Sequence, residues 1–287
     1  MTESDLNLIA NPTAIEAFKP PKGGLKKNFP WWLVALVAII VITFSRVISG
    51  GNYTEAFLFI KGGITTTIFT TLAAFSIALV IGLLTSLGRI SSNPIARNAA
   101  TFYVELIRGI PVLVLIFFIA LVGVPVLVEG LAQLANRLGN LGNPLRGLRN
   151  DTIPMNARAI IALSITFGAY LSETFRAGIQ SVPKGQMEAA RSQGMSHGQA
   201  MLHIILPQAF RNILPAIGNE FISLLKDSSL VSVLAVRDIT QLSRLYAGST
   251  FQFRESYLTL SILYLSMTLV LSSFVKFIER RSRRDQR

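Results

Sequence analysis

Cysteine is absent from the chain, which removes disulfides, iron–sulfur clusters and thiol catalysis from consideration. Histidine is scarce: His197 and His203 are the only two, six residues apart with no carboxylate between them. That spacing offers no His-x-x-x-His metal pair. Charged residues are few, 15% of 287, against roughly 25% in ordinary soluble domains. There is no Gly-x-x-x-x-Gly-Lys-Ser/Thr string, so the chain has no phosphate-cradling loop with which to bind a nucleotide itself.

What is abundant is apolar. Hydrophobic residues make up 51% of the chain and the mean hydropathy is +0.51, a composition that points to a polytopic membrane protein. The net charge is +12, yet the basic residues flank apolar runs instead of forming a stripe with interleaved aromatics. That is the orientation signal of membrane spans, and nucleic acid is not expected as a partner.

Six apolar runs follow, at 31–49, 64–87, 101–128, 157–179, 208–236 and 256–278. Residues 1–30 read as a flexible tail rich in lysine, proline and glycine. A signal peptide is the alternative for the first run, but typical apolar cores of that kind span roughly 7–15 residues. An uncleaved span with Trp31 and Trp32 at the interface is the better reading. Lys61-Gly62-Gly63 opens the second run, whose early threonines suit helix–helix contact in lipid or bonds back to their own helix. Pro111 and Pro125 should bend the third, where Glu105 and Arg108 stand three apart. Segment 129–156 reads as one short amphipathic helix over 131–138, followed by turns at Gly139-Asn140, Gly142-Asn143-Pro144 and Gly147. Residues 237–255 read as an exposed loop. Most of the 27 lysines and arginines fall on the side of the N-terminal tail, which predicts both termini in the cytosol.

One stretch stands out. Residues 180–207 form a polar island between apolar runs. Pro183 suits a first helical turn, and 186–193 can form a short helix with a low-profile Ala189-Ala190 surface. Gly194 can take the left-handed conformation that ends it, and Ser196 with Gln199 forms a capping box for a second helix through His203. Pro207 marks entry to the fifth run. In that run Asn219, Ser223 and Lys226 share one stripe, with Glu220 and Asp227 beside it. Ionisable groups within a span usually face a cavity or a partner, so these five are the candidate pathway residues. The alternative is that Lys226 and Asp227 neutralise each other near the outer interface.

The string Glu188-Ala189-Ala190, three residues, Gly194, nine residues, Ile204, one residue, Leu206-Pro207 resembles the signature of permease subunits of ATP-binding-cassette importers. Ala169-Tyr170-Leu171-Ser172-Glu173, Arg176-Ala177-Gly178-Ile179, Pro183-Lys184-Gly185-Gln186, Leu206-Pro207-Gln208-Ala209, Arg211, Asn219 and Lys226-Asp227-Ser228-Ser229-Leu230 are similar to its polar amino-acid (histidine/glutamine-type) branch. Glu105-Leu106-Ile107-Arg108-Gly109-Ile110-Pro111 resembles that branch's Arg-Gly-Thr-Pro segment, with Ile110 replacing the threonine. The long 129–156 segment and the first span also depart from the branch.

The resemblance implies an all-α integral membrane protein of about six transmembrane helices: a type I permease core of five, one extra N-terminal helix, and two short cytosolic coupling helices. The expected organisation is a tail (1–30), an extra helix (31–49), a permease domain (60–278) with its coupling loop (180–207), and a basic tail (279–287). It further implies a non-enzymatic transport subunit of the bacterial inner membrane, importing amino acids by alternating access. Glu188, Ala189, Ala190, Gly194, Leu206 and Pro207 would dock on an ATPase dimer, with ATP and magnesium bound there and no cofactor on this chain. A second permease chain, identical or related, and an extracytoplasmic substrate-binding protein would complete the complex in the lipid bilayer. A membrane scaffold or receptor, an importer of another small polar solute and an ion-coupled secondary transporter are the competing readings. The last would show internal symmetry and paired broken spans, which the sequence lacks.

Overall fold

The computed structural model describes residues 31–138, 147 and 149–284. The expected tail at 1–30, the glycine-rich turns at 139–146 and residues 285–287 of the basic tail lie outside them. Contacts divide the chain into Met1–Ile42 and Thr43–Arg287. The described part of the first unit is residues 31–42, within helix α1 (Trp31–Ile48).

The second unit continues with α2 (Asn52–Ile60), a 3-10 turn at Lys61–Gly63, and α3 (Ile64–Ile90). Next come α4 (Pro94–Arg108), α5 (Val112–Phe118) and α6 (Val124–Arg137), the last two joined through a π-helical turn at Ile119–Gly123. Helix α7 (Met155–Gln180) is followed by α8 (Lys184–Ser192) and α9 (His197–Ala200). A second π turn at Met201–Ile205 leads into α10 (Leu206–Asp227), a 3-10 segment at Ser228–Leu234, α11 (Ile239–Thr250) and α12 (Phe253–Arg284). No strand occurs among the described residues.

Four stretches are long and apolar enough to cross a membrane: Asn52–Ile90, Val112–Arg137, His197–Leu234 and Phe253–Arg281. Helix α7, expected as a span, is long enough at 26 residues but is not among them. Its position explains why: Leu163, Phe167, Ala169 and Leu171 are at most 1% exposed. A helix surrounded by other helices has little surface to match to lipid. It packs along α3 through small residues, where a Cβ on Gly82 would meet Leu171 Cβ at 2.7 Å and one on Gly168 would meet Ile81 Cγ2 at 2.6 Å. Close backbone approach of this kind is how helices associate without a hydrophobic driving force.

Three sequence expectations change. The third apolar run is broken at Gly109–Pro111, because proline disfavours helical geometry in the residue before it. Its first part is the amphipathic α4, capped by the Asn93 side chain on the N–H groups of Ile95 and Ala96. The amphipathic stretch at 131–138 is mostly the continuation of α6, ending at the cap Leu138. The supposed loop at 237–255 contains α11, which starts from the buried Asp238: its carboxylate accepts from Gln241 N–H at 2.8 Å. Burial holds the Asp238 carboxyl above its ordinary value of 3.8, against bonds from Gln241, Thr240 and Tyr264 that pull it down.

The same docking explains the glycines and threonines at 61–71. A Cβ on Gly63 would lie 2.5 Å from the backbone of Asp238 and Ile239, so only glycine admits α11. Thr67 donates to Gly63 O and accepts from Ile239 N–H at 3.2 Å. Thr70 reaches Asn156 Oδ1 at 2.7 Å.

Both π turns stop two residues before a proline. Val124 N–H bonds to Ile119 O, five residues back, and Pro125 has no N–H to offer. The Ala120 carbonyl thus loses its usual donors, and the buried Arg158 supplies one from Nη1 at 3.2 Å. Leu206 N–H bonds to Met201 O before Pro207 in the same way.

Candidate functional site

The polar island folds as its caps demand. Pro183 is the residue before α8, and Gly194, at φ +84°, ends the helix. Met195 N–H bonds to Ala190 O at 3.2 Å and Gly194 N–H to Arg191 O at 3.1 Å, the paired closure of a Schellman motif. Ser196 Oγ then accepts from Gln199 N–H, while Gln199 Oε1 accepts from Ser196 N–H at 2.8 Å. The second island helix runs through the Met201–Ile205 π turn straight into α10, so the island and the span form one continuous rod, His197–Leu234.

The inner face of the island rests on Ile179, Val182, Ile205 and Ala209, with Met187, Met201 and Leu206 packed against them. Ala190 is buried, whereas Glu188, Ala189, Gly194 and Pro207 are exposed. Met187 and Ala190 stand three apart and share the inner stripe, so the outward surface of α8 is Glu188 and Ala189. Gln208 bonds to Gln186 at 3.4 Å and Asn212 to Ser181 at 3.0 Å, tying the island to α10.

Along α10, Asn219 and Lys226 are exposed, and Glu220, Ser223 and Asp227 are half-buried. Phe221 stacks on Phe75 of α3 with ring centroids 4.5 Å apart, which fixes the rotation of this helix. Glu220 and Asp227 lie within electrostatic reach of Tyr170 on α7, and Arg108 at the end of α4 acts on both Glu220 and Tyr170. Lys226 acts on its neighbour Asp227. The structure therefore brings the two acidic candidates together and adds Tyr170 and Arg108. These stand 62 positions apart in sequence, and no local pattern links them.

At the island end of the bundle, Glu173 is the hub of a charge cluster. Its Oε1 accepts from Arg89 at 2.6 Å and Arg108 at 3.1 Å, and its Oε2 from Arg176 at 3.0 and 2.7 Å. Arg89 also faces Glu105 at 3.9 Å. Glu105 and Arg108, three apart on α4, thus bond to neighbouring helices and not to each other. The cluster joins α3, α4 and α7 beside a cavity of about 900 Å³ that α10 and α12 close. Among the described residues, no group of three or more histidine, aspartate or glutamate side chains converges on a metal site.

A helical bundle with lipid-length apolar spans, a capped two-helix island at one end and a charged stripe along one span is the build of a polytopic membrane protein. Residues 78–284 match the family described as binding-protein-dependent transport system inner membrane component, and the chain belongs to that family. It is 38% identical to the probable glutamine ABC transporter permease protein GlnM of Bacillus subtilis, over 75% of this chain and 89% of that one. It is 33% identical to the histidine/lysine/arginine/ornithine permease protein HisQ of Escherichia coli, over 76% and 91%. A solved amino acid ABC transporter, crystallised with histidines, shares 38% identity at TM-score 0.63, covering 80% of this chain and 95% of that one. The MetNI methionine transporter, at 17% identity and TM-score 0.57, covers 78% and 94% and shares the fold. The chain is accordingly the membrane-spanning subunit of an ABC importer. It is not an enzyme; a separate ATPase and a substrate-binding protein belong to such systems.

Proposed function

We propose that this subunit carries amino acids across the bacterial inner membrane by alternating access, driven by ATP bound with magnesium on a partner ATPase dimer. The observation that carries the reading is the island: a doubly capped docking surface continuous with α10, the helix that bears the charged stripe. A push on Glu188 and Ala189 crosses the tight closed turn at Gly194–Ser196 to α9, which runs through Leu206 and Pro207 to Asn219–Asp227 as one rod. Amino acids as cargo are supported by the GlnM and HisQ relatives, both named for amino acids, and by a stripe that carries both signs of charge.

The basic bias supports an orientation with the island and both termini in the cytosol. Residues 60–278 carry the permease function, and 31–49 adds a helix outside the five-helix core. Asn219 and Lys226 are exposed on a span, where polar groups are costly against lipid. A second permease chain, identical or related, covers that face and completes the pathway, and an extracytoplasmic binding protein delivers cargo to it.

The test is uptake of labelled amino acids by vesicles holding the reconstituted complex. Accumulation that depends on ATP and the binding protein is expected for at least one of them. Glu220→Gln should lower rate or affinity; an unchanged variant removes Glu220 from the pathway.

A further inference from the structure

The cavity of about 900 Å³ at the island end is walled by Arg108, Arg176, Arg211, Asn212, Glu173 and Glu279, among others. Its donors and acceptors do not balance. A carboxylate offers about four acceptor sites and a guanidinium five N–H donors. Glu173 already accepts four bonds. Arg176 uses both of its forks, on Glu173 and on Gln180 Oε1 at 2.9 Å. Glu279 has a partner of its own. Arg108 gives a single bond to Glu173, and exposed Arg211 has no ion pair among the described residues. Two guanidiniums with most of their donors unspent thus face one space, and an anion with more than one oxygen would suit them.

The cavity and the stripe also share a face of α10. Asn212 and Ala216 in its wall stand four apart, and Asn219 and Ser223 follow at three and four, so all four share one helical face. Glu220 and Asp227 flank the far half of this face together with Lys226, while Arg211 stands in the island half, about 100° around α10 from Asn212, and Arg108 reaches the same space from α4.

We infer that Arg108 and Arg211 form a carboxylate-receiving site at the island end of the pathway, so that a zwitterionic amino acid travels with its carboxylate toward the island and its ammonium toward Glu220 and Asp227. The inference rests on the amino-acid reading and deepens it. Bidentate contact with a planar carboxylate is the geometry guanidinium serves best. Arg108 stands at the seam: it bonds to Glu173 below and acts on Glu220 above.

The experiment uses the permease–ATPase complex in phosphatidylcholine nanodiscs, free of nucleotide and binding protein. Its probes are whichever of the twenty labelled L-amino acids the wild-type complex imports, and the α-amide of that amino acid. The wild type should bind the amino acid at least tenfold more tightly than the α-amide. Arg211→Gln should lose that preference and bind at least tenfold more weakly, while Arg211→Lys, which keeps the charge but not the fork, recovers only part of the loss. Arg211 is exposed and has no ion pair among the described residues, so these variants should melt with the wild type. Arg211→Gln binding like the wild type, while wild-type import persists, overturns the site and leaves the amino-acid reading standing. Import of none of the twenty removes both. Because a lipid phosphate has related chemistry, a second set of discs contains phosphatidylglycerol. Binding should persist there, and its loss would assign the site to lipid and overturn the proposal.

Discussion

Replacing Glu173 by glutamine removes the charge that holds three arginines together while leaving a side chain of nearly the same shape. The Arg89 contact dominates the cost. At 2.6 Å, with side chains 11% and 22% exposed, it is close to buried, and breaking a buried pair from one side costs about 3–5 kcal/mol. The partial exposure of Glu173 puts this one near the lower figure. Arg108 and Arg176 are 44% and 34% exposed, so each adds about 1 kcal/mol at most. The remaining amide oxygen returns about 1 kcal/mol as a neutral acceptor. A net loss of roughly 3 kcal/mol corresponds to a fall in melting temperature of roughly 6–12 °C for a chain of this size. Thermal unfolding in detergent reads it, and a double-mutant cycle with Arg89→Gln isolates the pair. Because the two groups touch, the double variant should cost at least about 1.5 kcal/mol less than the sum of the single ones. Additivity within about 0.5 kcal/mol would show that the hub does not hold the helices together.

Other outcomes follow from packing and protonation. At Gly178 a Cβ would coincide with Ile213 Cγ2; Gly178→Ala should cost about 1–3 kcal/mol through overpacking. Adding Ile213→Ala should recover part of that in the same melting assay, and no recovery would locate the strain elsewhere. The raised Asp238 carboxyl means that the folded chain holds this proton more tightly than the unfolded one. Its contribution is complete below the ordinary value of 3.8 and is lost as pH rises through the shifted value. Asp238→Asn keeps an equally good helix cap but has no proton to lose. The wild type should therefore lose stability relative to the variant as pH rises above the ordinary value of 3.8, and parallel curves would contradict the assignment. Gly194→Ala meets open space but a positive φ, so it should cost only about 1 kcal/mol. Gly194→Pro, which also deletes the bond to Arg191 O, should abolish the island's closure, read as protease sensitivity at 193–196.

The parts legible in the sequence are those whose physics is local. Gly194 and the Ser196–Gln199 box announced the ends of the island helices because caps are made within a few residues. The apolar runs announced most of the spans. The break at Gly109–Pro111 was visible as a proline but was read as a bend, since hydropathy runs straight through it. Helix α11 was missed because Arg237 and Arg244 made the segment look like a loop; the signal was Asp238 as a cap with Ile239, Leu242, Ser243 and Tyr246 at helical spacing. The Glu173 contacts with Arg89 and Arg108 and the approach of Arg108 to Glu220 depend on residues more than sixty positions apart, and nothing local records them, whereas Arg176 is only three residues from Glu173.

The central claim is that the island passes the work of an ATPase to α10, and it is tested most directly by ATP hydrolysis in the reconstituted complex. With Glu188→Lys, an exposed change that leaves the permease fold alone, the ATPase should no longer co-purify, and cargo-stimulated hydrolysis should fall at least tenfold, while the permease melts as the wild type does. Hydrolysis and co-purification unchanged by Glu188→Lys would contradict the account.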